Sequence, residues 1–383
     1  MKAVFLRDIA DIQTGPFGNQ LHQEDYVVAG TPIVTVEHLG KRRFTTQNLP
    51  MVSDADKQRL QKYILHKGDI VFSRVGSVDR CSFVEREHDG WMFSGRCLRV
   101  RPLEMVDSEY LYYYFCGEET KQFVRNIAVG ATMPSINTKL LGEVPIALPD
   151  METQKKIAAI VSSIDHKIEI NEEINDNLLQ QLQAIYQQIF DSASRNDGVL
   201  SDICSYSQRR VAVASLTLES YYSTENMLPE KAGAVSASSL PTIVQTTGCA
   251  PGDVLISNIR PYFKKIVYCR SECGCSTDVL CFVPMEPCLS PFLFSTLYDD
   301  RFFDYMVAGS KGTKMPRGDK QQIMAYPVVK PSNTQLERFN ALGEPILAKI
   351  ESSNQENKCL SAIRDALLPK LMSGEIDVSS ITL

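Results

Sequence analysis

The chain lacks what a membrane protein, a secreted protein or a catalyst would show. None of its apolar runs approaches the roughly 20 residues that span a bilayer. The opening MKAVFLRDIADI has no apolar core of the kind a secretory leader needs, so none is expected. Histidine is scarce: His22, His38, His66, His88 and His166 are dispersed, all in the first half, and none sits in H-E-x-x-H. A phosphate-cradling G-x-x-x-x-G-K-[ST] loop is missing, since Gly309-Ser310-Lys311-Gly312-Thr313-Lys314 has the residue types at the wrong spacing. No G-x-G-x-x-G opens a helix after a strand, and no Asn-Pro-Pro-aromatic motif of amino-methyltransferases occurs. These gaps point to a non-catalytic chain.

What is present is an ordinary globular composition, 44% hydrophobic and 22% charged over 383 residues, enough for two domains. Eleven cysteines read as reduced thiols of a cytoplasmic protein. Four of them, Cys269, Cys273, Cys275 and Cys281, crowd into YCRSECGCSTDVLCF. A zinc site is conceivable there, but the spacing matches no paired C-x-x-C pattern and the segment alternates like a hairpin. The net charge of −6 is unevenly spread. Residues 1–150 and 196–332 are nearly neutral, and the acidic excess sits in 151–195 and 333–383. A neutral domain can carry a basic face, so the balance leaves nucleic acid open as a partner.

The sequence repeats itself. Gly130–Pro149, GATMPSINTKLLGEVPIALP, has a cousin 182 positions on, GTKMPRGDKQQIMAYPVVKP. Lys67-Gly68-Asp69-Ile70-Val71-Phe72-Ser73 answers Pro251-Gly252-Asp253-Val254-Leu255-Ile256-Ser257. Ser108-Glu109-Tyr110-Leu111 answers Ser290-Pro291-Phe292-Leu293, and Leu6-Arg7-Asp8-Ile9 resembles Leu200-Ser201-Asp202-Ile203. Two copies of this size are a duplicated domain, not a solenoid. Each copy holds strands opened by a Gly-Asp turn, helical spacing over 108–127 and 290–309, and a proline-bracketed edge strand. Asp69 and Asp253 are read as turn residues, not as an acid–base pair.

A long helix follows each copy. The first has Asp150 or Thr153 as its cap and apolar residues at Ile157, Val161, Ile164, Ile168, Ile174, Leu178, Leu182, Ile185 and Ile189. The second carries Leu336, Phe339, Leu342, Ile346, Ile350, Leu360, Ile363, Leu367 and Leu371, with a break or kink expected at Gly343 and Pro345. Steps of three and four make each stripe a coiled-coil seam, interrupted by Asn171, Asn175 and Asn357. The expected fold is α+β: two similar globular domains (1–150 and 196–332) joined by two long helices (151–195 and 333–383) in an antiparallel coiled coil with pseudo-twofold repetition.

This plan resembles the specificity subunit of type I restriction-modification systems. The resemblance rests on TGPFGNQLHQEDYVVAGTPIV, KGDIVFSRVGSVDR, STENMLPEKAG, APGDVLISNIRP, VPIALPDMETQKKIAAIVSSIDHKIEIN and LLPKLMSGEI, in the family's order. It implies that each globular part is a target recognition domain reading one half of a split duplex DNA site. The paired helices would space the domains and dock methyltransferase subunits, two of them, with restriction subunits as further partners. No cofactor is expected on this chain; S-adenosylmethionine would sit on the methyltransferase partner. The alternative is a duplicated protein-interaction scaffold that binds no DNA.

Phosphate contacts need Lys or Arg, and base reading needs Arg, Lys, Asn or Gln at groove-facing tips. In the first domain these are Lys41, Arg42 and Arg43, then Ser73, Arg74 and Arg80 after the Gly-Asp strand. In the second they are Asn258, Arg260, Lys264 and Lys265 after the matching strand, and Lys311, Lys314 and Arg317 in the Gly-Met-Pro loop. Arg96, Arg99 and Arg101 alternate along an apparent strand and fit either role. Tyr112, Tyr113 and Tyr114 are better explained by helix packing than by base stacking.

Overall fold

The computed structural model describes residues 2–16, 18, 20–190 and 197–381. Phe17 and Asn19 of the first family-like stretch, and the 195/196 domain boundary, lie outside these residues. The chain divides into two compact units, Met1–Glu169 with Asn357–Leu383, and Ile170–Glu356. The division runs through both long helices, so each unit holds one globular part together with part of each helix.

The Gly-Asp strand is the centre of each domain. In the first unit, Ile70–Ser73 lies in a four-stranded antiparallel sheet between Cys97–Pro102 and Cys81–Phe83, with Ala10–Thr14 at the far edge. Side chains alternate across a strand, and here both faces are buried. Ile70 and Phe72 join a core with the helix Ser108–Cys116, whereas Val71 enters a second core beneath a smaller sheet. The second unit repeats the plan around Val254–Ser257, between Val279–Pro284 and Ile266–Tyr268. Val254 and Ile256 face the helices, and Leu255 faces the small sheet. The expected helical spans are each two helices. Gly117 and Asp299 adopt extended backbone, separating Ser108–Cys116 from Glu118–Ile127 and Ser290–Tyr298 from Asp300–Ala308.

The cysteine-rich stretch is not a hairpin. Ile266–Tyr268 pairs within the central sheet, but Cys273–Cys275 pairs with Gln245–Cys249 and Tyr221–Tyr222 in the small one. The turn between them carries the chain from one layer to the other. Cys249 joins Cys269, Cys273, Cys275 and Cys281 in the buried core between the layers. Among the described residues no group of three or more His, Cys, Asp or Glu could hold a metal.

Proline-bracketed strands close each domain, Pro145–Leu148 on Lys2–Phe5 and Pro327–Val328 on Gly198–Val199. The long helices come next, Met151–Phe190 and Asn333–Ser373. Asp150 caps the first by accepting from the Thr153 amide at 2.9 Å. Within the first unit, Ile157 and Val161 share a core with Leu368 and Leu371, and Arg364 donates to Asp165 at 2.9 Å. Within the second, Asn171 donates to Glu356 and Asn175 to Asn354, each at 2.9 Å, and Gln335 donates to the Ile189 carbonyl at 3.2 Å. Numbers rise on one helix as they fall on the other, so the pairing is antiparallel in each unit. Among the described residues no helix is long and apolar enough to cross a membrane.

The seam departs from the apolar stripe in two ways. Ile174, 38% exposed, lies off it, because a step of six from Ile168 turns about 240° at 3.6 residues per turn. Steps of three and four land on Asn171 and Asn175, both buried. Leu342 and Ile363 are also exposed, with Gly343 and Arg364 turned inward beside Leu182 and Asp165. Nor does Gly343 or Pro345 end the second helix. Gly343 permits close approach of Leu182, and Pro345 is exposed, so water can reach the carbonyl of exposed Ala341 that loses its donor. Asn175 Oδ1 is buried without a donor, whereas Asn354 is exposed. The Asn175→Leu variant should therefore be more stable by about 1 kcal/mol in urea unfolding. A clear loss would assign the asparagine a net stabilising role.

Candidate nucleic-acid interface

Each Gly-Asp turn is built in the same way. Gly68 and Gly252 take left-handed backbone, φ +91° and +90°. Asp69 accepts from the His66 amide and Asp253 from the Ala250 amide, both at 2.8 Å. Both carboxylates are buried and each recruits an arginine, from different places. Arg101, in a strand of the central sheet, donates to both oxygens of Asp69 at 2.7 Å. In the second domain Arg209 reaches Asp253 from the segment after Cys204–Tyr206. Arg99 pairs with Asp11. These arginines are structural.

The strand then leads to a tip that the Gly-Met-Pro loop completes. In the first domain Val129 and Val75 both bridge to Ser135, and the Gly76 amide donates to the Pro134 carbonyl at 2.8 Å. In the second, Lys311 and Ile259 both bridge to Arg317, and the Arg260 amide donates to the Pro316 carbonyl at 2.8 Å. The repeated loop is thus part of the tip. A short helix after the loop (Thr138–Gly142 or Lys320–Met324) and then the closing strand connect it to the long helix.

The sequence-predicted residues divide on this frame. Ser73 is buried, its hydroxyl donating to the Val75 carbonyl at 2.8 Å, so it shapes the tip from inside. Arg42 is committed to the protein: it donates to Glu85 at 2.7 Å, to Tyr113 at 2.8 Å and to Glu109, over the Phe83 ring. Burial works against its charge, but Tyr113, Glu85 and Glu109 outweigh that and raise its pKa. Arg43 is exposed and reaches Glu87 at 3.4 Å and Glu169 at 3.2 Å. Arg74 donates to the Gly95 carbonyl at 3.0 Å. Lys41 and Arg80 are exposed and neighbouring: the Arg80 guanidinium lies over Gly40, and Ser82 donates to the Lys41 carbonyl at 2.6 Å.

In the second domain Asn258 is buried, with Oδ1 unpartnered. Lys264 turns aside to Asp300 at 2.9 Å, which Lys231 also approaches at 2.8 Å. Lys265 donates to the Thr224 carbonyl at 2.6 Å, and burial lowers its pKa. Arg260 and Lys265 line a cleft of about 550 Å³ with Tyr221, Ser276, Asp278 and Met315. On its rim Arg317 donates to Asp278 at 2.9 Å. Lys311 pairs with Asp319, and Lys314 is exposed. Sequence reading missed Ser276 and Asp278, because they approach the tip from a distant turn. Tyr112 and Tyr113 are buried in the helix Ser108–Cys116.

Fold and tips together define an internally duplicated α+β protein, each unit a similar domain carrying an antiparallel pair of helix segments. Residues 1–180 match the family model described as type I restriction modification DNA specificity domain. The chain is 25% identical over 316 residues to the type I restriction enzyme MjaIX specificity subunit of Methanocaldococcus jannaschii, covering 74% of this chain and 72% of that protein. It is 31% identical over 158 residues to the HindI specificity subunit of Haemophilus influenzae, spanning 39% of this chain and about a third, 34%, of that relative. In fold it is similar to the S subunit of a type I restriction-modification system from M. genitalium, with TM-score 0.55, 15% identity, and coverage of 97% and 95% of the two chains. The family model, these two relatives and this fold are thus all likenesses to type I restriction-modification specificity subunits.

Proposed function

We infer that this chain is the sequence-reading subunit of a type I restriction-modification complex, each globular domain reading one half of a bipartite duplex DNA site. The observation that carries the reading is a constant frame with unlike tips. The same turn, strand and loop are built twice, yet Arg74, Gly76 and Ser135 in one copy stand where Asn258, Arg260 and Arg317 stand in the other. Two half-sites of different sequence call for such a pair of readers.

The length of helix between the domains sets the gap between half-sites, and the helix pair docks two methyltransferase subunits. Those partners carry S-adenosylmethionine and the methylation chemistry; ATP hydrolysis and cleavage fall to restriction subunits. The assembly works in the cytoplasm. Lys41 and Arg80 in the first domain, and Lys311, Lys314 and Arg317 in the second, are exposed and would meet phosphate, Lys311 and Arg317 by exchanging Asp319 and Asp278 for it. Arg43, Arg74 and Lys265 lie at the margins with protein partners of their own.

The test is duplex binding by the assembled subunit–methyltransferase complex across a salt series. A DNA reader loses affinity steeply with salt, whereas a protein scaffold shows no such slope. Lys314→Ala is expected to weaken binding to all duplexes alike and to lower the salt slope by about 1. An unchanged slope would remove Lys314 from the phosphate contacts.

A further inference from the structure

The tips differ most at one backbone position. Gly76 and Arg260 are equivalent, each the third residue after the serine that ends the central strand. The serine makes the same bond in both copies, Ser73 to the Val75 carbonyl at 2.8 Å and Ser257 to the Ile259 carbonyl at 3.2 Å. Both equivalent residues have left-handed backbone, φ +75° at Gly76 and +51° at Arg260. Glycine adopts it freely, but a residue with a β-carbon does not. The first domain shows that glycine suffices for the architecture. What the second domain gains from arginine is the side chain.

That side chain borders the 550 Å³ cleft, and its Nε is buried with no hydrogen-bond partner. Two other polar atoms nearby share the condition: Ser276 Oγ, in the cleft wall, and Asn258 Oδ1, two residues before Arg260. Buried polar atoms without partners are rare, and strained residues concentrate where a ligand is gripped. A guanidinium offers a planar fork of donors, which suits either a phosphate or the O6 and N7 of guanine. The cleft decides between them. Glu225 and Asp278, the latter held by Arg317, also line it, and its other cation, Lys265, is turned to the Thr224 carbonyl. Carboxylates repel a phosphate but accept from the amino groups of base edges.

Resting on the proposed function, we infer that Arg260 reads a guanine in the half-site of the second domain. The glycine at the equivalent place means that the first half-site is read by different chemistry.

The test is Arg260→Gly, assembled with the methyltransferase subunits. Relief of backbone strain should leave the melting temperature unchanged or raise it by about 2–4 °C. Preference for guanine at one position of the second half-site should fall on the order of 10- to 100-fold, with the first half-site unaffected. A lowered melting temperature would make the side chain structural and overturn the assignment. So would an unchanged methylated motif, and so would a uniform loss of affinity with a shallower salt slope, which marks a phosphate clamp. The wild-type complex separates the two claims. If it binds all duplexes alike, the function itself fails; if it is specific while the variant's motif is unchanged, only Arg260 fails.

Discussion

Exchanging residues 197–330 for the matching segment of another specificity subunit is expected to change one half of the methylated motif and leave the other intact. The segment's ends meet. Gly198–Val199 pairs with Pro327–Val328, the Leu200 amide donates to the Tyr326 carbonyl at 2.8 Å, and the Lys330 amide donates to Asp197 at 2.9 Å. A domain closed by its own ribbon can be replaced as one piece. The incoming domain must present an apolar face like that of Phe292 and Leu293, which share a core with Leu182, Tyr186 and Phe190 of the central helix. Phe190 and Phe292 meet edge to face, with ring centroids 4.6 Å apart. Sequencing methylated DNA from cells that carry the hybrid and its methyltransferase reads the result. A hybrid with both halves altered, or neither, would refute modular reading.

The largest stability effect is expected at the arginines of the Gly-Asp turns. Asp69 is 1% exposed and Asp253 2%, so each carboxylate depends on its partners. Breaking a buried ion pair by deleting one member costs about 3–5 kcal/mol, because the other charge is left uncompensated. Arg101 and Arg209 are partly exposed, at 33% and 44% of their side chains, which places Arg101→Ala and Arg209→Ala at about 3 kcal/mol, the lower end of that range. Exposed pairs such as Lys330 with Asp202 are worth under about 1 kcal/mol. Guanidinium unfolding of each variant measures this. Adding Asp69→Asn to Arg101→Ala should recover part of the loss, since the stranded charge is then gone. A loss below about 1 kcal/mol would show that water reaches the carboxylate.

Much of the frame was legible in one dimension because its causes are local. A Gly-Asp turn needs a left-handed residue and a carboxylate that closes on a backbone amide, and Gly68-Asp69 and Gly252-Asp253 state both. Proline brackets marked the closing strands. Helical spacing marked Met151–Phe190 and Asn333–Ser373, although the seam itself passes through Asn171, Asn175 and Arg364, which an apolar count skips.

The site was less legible because a basic residue looks the same whether it faces solvent or a buried carboxylate. Lys41, Arg42 and Arg43 are consecutive, yet Arg42 alone turns inward, to Glu85 and Glu109. Arg101 and Arg209 serve equivalent aspartates from unrelated positions, so no repeat in the sequence links them.

By itself the sequence determined the duplication, the two long helices and the turn at the heart of each domain, since these arise from short-range spacing and backbone preference. Tertiary structure alone decided which cations are spent inside, that the Gly-Met-Pro loop closes on the tip, and that Ser276 and Asp278 join Arg260 in one cleft. Such choices depend on which distant segments burial brings together, and periodicity along a chain carries no record of that.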